Sequence, residues 1–412
     1  MTLPNFKENL RKYAQLMIKY GINVQPGQVV ELSLEITQGP LGEALAEEAY
    51  IAGADEVLIN WINDTEYRLM MEYSSDEKLS QPPHPYQFAK RDYLLESDYA
   101  SVGVISGDPA AFASIPPEKF ALRREAYKEF GKPMREKSMG HHFPWTIVVA
   151  ASPEQAALVF PELATEEEQV DALWDALFAA TRVYEADPIA AWKKHIEFTS
   201  IKAKELNDAA YDSLHYYSDE TDLTIGLPKG HIWTTALATA DNGKEFISNI
   251  PSEEVWTAPD NRRINGHVAS TKPLVYNGSV IEGLKLTFKD GQVIDFSATK
   301  GLDVLEVLLE SEGAKSLGEV ALVPHDSPIS NTGLVFYETL FDENASCHLA
   351  LGDSYSDNLT GGSEMSEEEL AEHGLNSSQT HSDFMVGSAK LNIDALKTDG
   401  TVVPLFRDGN WA

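Results

Sequence analysis

The strongest constraint on this chain is a change of hydrophobic rhythm near Tyr211. Before it, short apolar runs alternate with longer stretches of helical period. Residues 29–34, 56–61, 101–106 and 145–150 read as strands, the first entered through the turn Gln25-Pro26-Gly27. Between and after them, helices are predicted over 41–52, about 120–130, about 165–182 and 188–210. Leu41, Leu45 and Ala49 recur every four residues before Gly53, and Asp187-Pro188 supplies an N-cap and a first-turn proline. Strands separated by helices of this length need crossover connections, which gives a mostly parallel sheet. No G-x-G-x-x-G follows the first strand, so a dinucleotide site has no support.

After Tyr211 the runs are short, and turn signals separate them: Asp241-Asn242-Gly243, Asn277-Gly278 and Asp290-Gly291. Residues 287–294 read as a hairpin and 301–312 as one clear helix. Residues 361–372 read as a Gly-Ser turn leading into an acidic surface helix. The fold class is therefore α/β: an N-terminal, mostly parallel α/β domain over 1–210, then a β-rich α+β domain over 211–412.

Charge narrows the function. The 412 residues hold 65 Asp and Glu against 32 Lys and Arg, which removes the positive footprint that nucleic acid or an anionic membrane requires. At 43 % hydrophobic residues the chain has the material for large cores, unlike an acidic disordered tail. Residues 211–412 carry 32 acidic but only 12 basic groups, so the second half is the place to look for a cation. The N-terminal stretch reads as an amphipathic helix, not a signal peptide, and no apolar run approaches about 18 residues. With a single cysteine, Cys347, the expectation is a cytoplasmic protein without an internal disulfide.

The usual hydrolase motifs are missing. There is no G-x-S-x-G elbow, and no C-x-x-C, H-E-x-x-H or H-x-x-E-H. Cys347 and His348 are neighbours on a predicted strand and point to opposite faces, which leaves Cys347 as a buried thiol. What remains is a dispersed set of carboxylates and imidazoles: Glu253 and Glu254, Glu319, His348, His381 and Asp383. At a strand period of two, His381 and Asp383 share a face and can bind one metal or each other. Glu253 and Glu254, in an extended segment, diverge. Each residue alone also reads as structural, His348 as a hydrogen-bonded core histidine and Glu319 as a solvated strand end. His141-His142 reads as a turn or interface feature, Arg262-Arg263 as salt-bridge partners, and His325-Asp326 as support around a metal site.

Four blocks, NIPSEEVWTAPD, GEVALV, CHLALGDSY and THSDFMVG, in this order and at these separations, resemble the thermophilic-type metalloaminopeptidase family. The likeness extends to the opening LRKYAQLMIKYGINVQPGQVV and so covers nearly the whole chain. It implies an exopeptidase that removes N-terminal residues from peptides with two divalent metal ions. It implies a homodimer and a metal-bearing C-terminal domain. The family's metal positions match Glu253, Glu319, His348, His381 and Asp383, and Tyr355 matches an active-site tyrosine described as ligand or catalytic group. A mix of carboxylates and imidazoles suits zinc, cobalt or manganese. Glu319 or Asp383 is expected to bridge the ions, and Glu254, beside a ligand, is a candidate general base. The alternatives left open are another two-metal hydrolase, acting on a non-peptide amide or a phosphoester, and a metal-stabilised binding protein without turnover.

Overall fold

The computed structural model describes residues 2–108, 110–112, 114–276 and 279–412. The chain forms two compact units. One comprises the residues up to Trp192 together with Ala236–Ile250, the other Lys193–Thr235 together with Pro251–Ala412.

The first unit is built on a five-stranded parallel sheet in the order Glu56–Ile62, Val29–Glu35, Tyr99–Ile105, Trp145–Val149, Asn249–Ile250. Val30, Leu32 and Leu34 are fully buried, as a strand covered by helices requires. Helix Gly39–Ala52 buries Leu41, Leu45 and Ala49, and Gly53 closes it in the left-handed region at φ +104. Phe6, Tyr13, Trp174 and Phe178 meet with ring centroids 5.2 to 6.3 Å apart and pin the N-terminal helix Phe6–Leu16 against helix Glu166–Ala180. The fifth strand comes from beyond residue 210. Ile147 and Val148 pair with Asn249 and Ile250, and this pairing draws Ala236–Ile250 into the first unit. Asp241-Asn242-Gly243 turns between the paired strands Leu237–Thr239 and Glu245–Ile247 of that insertion.

The second unit carries two antiparallel sheets. The larger has eight strands, in the order Gln292–Ser297, Lys285–Lys289, Ile264–Ala269, Asp222–Gly226, Ser213–Tyr217, Asn392–Leu396, Val402–Arg407, Asn410–Trp411. The Asp290-Gly291 hairpin has both turn residues at positive φ, the conformation that an Asp-Gly pair supplies cheaply. Asn277-Gly278 lies outside the described residues; the strands on either side of it, Leu274–Tyr276 and Ser279–Ile281, pair antiparallel. The smaller sheet has four strands, in the order Val255–Thr257, Leu317–Leu322, His348–Gly352, His381–Met385. One core joins both sheets: Tyr216, Leu223, Leu286 and Ile393 pack in the same cluster as Val320, Leu349, Leu351 and Phe384, with Leu305 and Leu308 from helix Leu302–Glu310. Among the described residues no helix is long and apolar enough to cross a membrane.

Candidate metal centre

The four-stranded sheet sorts its side chains by the period of two. Val320, Leu322, Leu349, Leu351 and Phe384 face the core. The intervening positions face the other way, and there Glu319 lies opposite Ala350, Ala350 opposite Asp383, and Gly352 opposite His381. His348 stands two residues from Ala350 on the same face. Glu319, His348, His381 and Asp383 therefore converge because three adjacent strands hold them in register, with small residues between them leaving room for polar groups. Gly318 sits at a register irregularity just before Glu319, and a Cβ there would fall 2.0 Å from the Asp353 carbonyl oxygen. Only glycine permits that approach, which sets the direction in which Glu319 leaves the strand.

Two segments outside the sheet complete the cluster. Glu254 comes from the loop entering strand Val255–Thr257, and Glu343 from the end of the short helix Thr339–Glu343. Three groups of ligand atoms each lie within 4.8 Å of one another: Glu254, Glu319 and His348; Glu319, His381 and Asp383; Glu343, His348 and Asp383. The Glu319 carboxylate spans two of them. Its Oε1 is 3.3 Å from His348 Nε2 and its Oε2 is 3.6 Å from His381 Nε2. Glu254 Oε2 is 3.1 Å from His348 Nε2, and Asp383 Oδ1 is 3.4 Å from His381 Nε2.

Both imidazoles are oriented from behind. His348 Nδ1 lies 2.9 Å from the Glu343 carbonyl oxygen and 3.1 Å from that of Ser346; His381 Nδ1 lies 2.9 Å from the Asp353 carbonyl oxygen. A carbonyl only accepts, so Nδ1 donates in each ring and Nε2 is aimed into the cluster, the arrangement of a metal-binding histidine held by its surroundings.

The electrostatics match a site made for cations. Burial raises the Glu319 carboxyl, and Asp383 and Glu254 raise it further against the pull of the two histidines. Burial also pushes Glu343 well above the usual carboxylate range, helped by Asp383 and Glu254. Burial alone would depress His348, yet the Glu254 and Glu319 carboxylates hold it well above the ordinary imidazole value. The same opposition, with Asp383 and Glu319 prevailing, lifts His381 to about 10. For Asp383 burial acts upward, but the neighbouring His381 charge wins and the carboxyl is lowered. Asp383 Oδ1 is moreover a buried acceptor with no hydrogen-bond donor among the described residues. Four carboxylates and two imidazoles in one buried space hold more negative charge than the two rings can neutralise, an excess that a divalent metal would balance.

Tyr355, 41 % exposed as a whole residue, stands beside His381, its ring centroid 5.1 Å away; partial burial and then Glu319 and Asp383 raise its phenol, so the hydroxyl remains protonated at neutral pH. Glu253 goes elsewhere. Its carboxylate Oε2 is 3.5 Å from His195 Nε2, on helix Pro188–Ala209, and its backbone N–H donates to Asn344 Oδ1 at 2.7 Å. The consecutive acids thus diverge, as an extended segment makes them, but the one that reaches the cluster is Glu254. Glu343 was not foreseen. It lies five residues before His348 on a five-residue helix, in no spacing that a metal motif would mark.

The other singled-out residues are engaged outside the three groups. His142 Nδ1 pairs with Asp241 at 2.8 Å, Arg262 forks onto Asp260 at 2.8 and 3.0 Å, and Arg263 reaches Asp212 at 2.6 Å. His325 Nδ1 is 3.3 Å from Ser330 Oγ. The Cys347 thiol donates to the Val323 carbonyl, and burial pushes it up to about 12.

The family described as thermophilic metalloprotease (M29) matches residues 6–411. The chain belongs to this metallopeptidase family. It is 47 % identical to aminopeptidase PepS of Streptococcus thermophilus over 412 residues, covering all of both chains. It is 42 % identical to aminopeptidase AmpS of Bacillus subtilis, again over the full length of each, and 39 % identical to aminopeptidase T of Thermus aquaticus, covering 98 % of this chain and 99 % of that one. Among solved structures, wild-type AmpT from Thermus thermophilus superposes with a TM-score of 0.91 at 38 % identity, covering 99 % of this chain and all of that one. Family membership and the carboxylate–imidazole cluster together make this a metal-dependent hydrolase of the exopeptidase type.

Proposed function

We propose that the chain removes single residues from peptides with a free N-terminus, using two divalent ions, zinc, cobalt or manganese, held side by side in the Glu319 cluster. The observation that carries the reading is the Glu319 carboxylate, which turns one oxygen toward His348 and the other toward His381. In this assignment Glu254, His348 and Glu343 would hold one ion and His381 the other, with Glu319, whose two oxygens face both histidines, placed to serve both. Asp383 lies within reach of both groups that include it. Two such ions supply a nucleophilic water at neutral pH and positive charge for the carbonyl oxygen of the scissile peptide. Glu254 takes the ligand place expected of Glu253. Glu253, buried beside His195 and turned away from the cluster, would support the loop that carries Glu254. Tyr355, protonated and next to His381, donates to the oxygen that becomes negative as the tetrahedral centre forms.

The reading retains a homodimer, which rests on the family resemblance, and a cytoplasmic setting, which a single buried free thiol supports. The test is a panel of aminoacyl and peptidyl chromogenic substrates with free or acetylated amino termini. Cleavage confined to free-amino substrates, abolished by chelation and restored by metal, supports the proposal. Cleavage of none, or equal cleavage of acetylated ones, contradicts it.

A further inference from the structure

The ligand-bearing segments come from distant parts of the chain, and one buried side chain outside the metal groups ties two of them together. Asn344 is fully buried, immediately after Glu343. Its Oδ1 accepts the Glu253 backbone N–H at 2.7 Å. Its Nδ2 donates to the Leu340 carbonyl at 2.9 Å and approaches Glu343 Oε1 at 3.5 Å. A single amide therefore fastens the loop that carries Glu254 to the helix end that carries Glu343, across 91 residues of sequence.

The arrangement asks for this residue type. The loop offers a donor and the helix end offers acceptors. In the space of one side chain only an amide presents an acceptor and donors on a planar fork. Aspartate keeps the acceptor but places another carboxylate beside Glu343; alanine loses both ends. Glu254 and Glu343 both lie on the His348 side of the cluster, where a misplacement of a fraction of an ångström alters the fit of an ion.

We propose that Asn344 is a positioning residue of the metal centre, holding the Glu253–Glu254 loop and Glu343 in one arrangement around His348. The proposal rests on the assignment of the cluster as a metal site. Its predicted signature is weaker metal binding on the His348 side in a protein that is otherwise folded.

The experiment is zinc titration of the metal-free full-length chain against a competing chelator, for wild type, Asn344→Ala, Asn344→Asp and Asn358→Ala, with circular dichroism and melting temperature of each metal-free protein. Asn358 is an equally buried amide, bonded to the Ile232 carbonyl at 3.1 Å and reaching the Trp256 carbonyl at 3.5 Å, and serves as a control for the loss of a core hydrogen bond close to the strand that Glu254 enters. The expected result is a loss of about ten-fold or more in affinity for at least one zinc equivalent in both Asn344 variants. The Asn358 variant should melt lower yet bind zinc as wild type does. Should Asn344→Ala fail to fold, Asn344→Asp, of the same shape, decides alone. Zinc affinity unchanged or increased in the folded Asn344 variants, or an equal loss in Asn358→Ala, overturns the proposal. A wild-type chain that binds no zinc overturns the metal-site assignment itself, which separates the two failures.

Discussion

Glu253 and Glu254 are consecutive in the chain, yet their carboxylates face different histidines: Glu253 lies 3.5 Å from His195, and Glu254 lies 3.1 Å from His348. Extended backbone at a sheet entrance produces this divergence, because successive side chains leave on opposite sides. It divides the labour expected of the pair. Glu254→Gln should lose about ten-fold or more in metal affinity. Glu253→Gln, which changes a carboxylate outside the cluster, should retain the metal and lose less than about ten-fold in kcat. Metal analysis alongside steady-state kinetics checks both. The reverse pattern would return Glu253 to the ligand set.

Glu319→Gln removes the negative charge between the two histidines while keeping the side chain's shape. Ligation worth several kcal/mol is lost, so turnover should drop by about three orders of magnitude. Because the exchange also removes a buried carboxylate from an acid-rich space, the metal-free variant should melt no lower than metal-free wild type. Full turnover with Glu319→Gln would remove the carboxylate from the account.

Without metal, His381 is raised to about 10 and is charged at neutral pH. An ion can bind its Nε2 only after the proton has left. Metal uptake at pH 7 should therefore release protons, and affinity should tighten as pH rises toward 10, whereas at a site whose histidines are already neutral it would stay flat over that range. Calorimetric titration in buffers of different ionisation enthalpy counts the protons released. No release at pH 7 would show that the ring is neutral before the metal arrives.

The Cys347 thiol is buried, bonded to the Val323 backbone and held up near 12. It neighbours a site histidine in sequence but faces the core with Leu349 and Leu351. Iodoacetamide at pH 7.5 should leave the native protein unmodified and its activity unchanged, whereas denatured protein should react with one equivalent. Inactivation at a rate matching alkylation would place the thiol in the chemistry.

The legible parts of this molecule were those governed by local periodicity. Residues 29–34 and 56–61 form strands that run on to Glu35 and Ile62, and Leu41, Leu45 and Ala49 mark a helix that begins two residues earlier, at Gly39. His381 and Asp383 share a face because a strand repeats every two residues. What periodicity cannot carry is pairing between distant segments. Ala236–Ile250 joins the first unit through a two-residue parallel pairing, the Phe246 ring against His141 and Trp145, and Asp241 against His142, none of which leaves a mark in its own sequence. Glu343 enters the cluster from a five-residue helix too short for a pattern, placed by its own carbonyl's bond to His348 and by Asn344's bond to the Glu253 backbone. Which of Glu253 and Glu254 turns inward depends on the pairing of Trp256 with Ala321, two strands that lie 65 residues apart.

The central claim is a two-ion centre built around Glu319 that acts on free N-termini. Zinc titration of the metal-free chain, following hydrolysis of a leucyl peptide with a free amine, tests it most directly. Activity should rise from background and reach its plateau at two equivalents per chain, with the N-acetylated peptide left intact throughout. A plateau at one equivalent, or a metal-free chain as active as the loaded one, would contradict it.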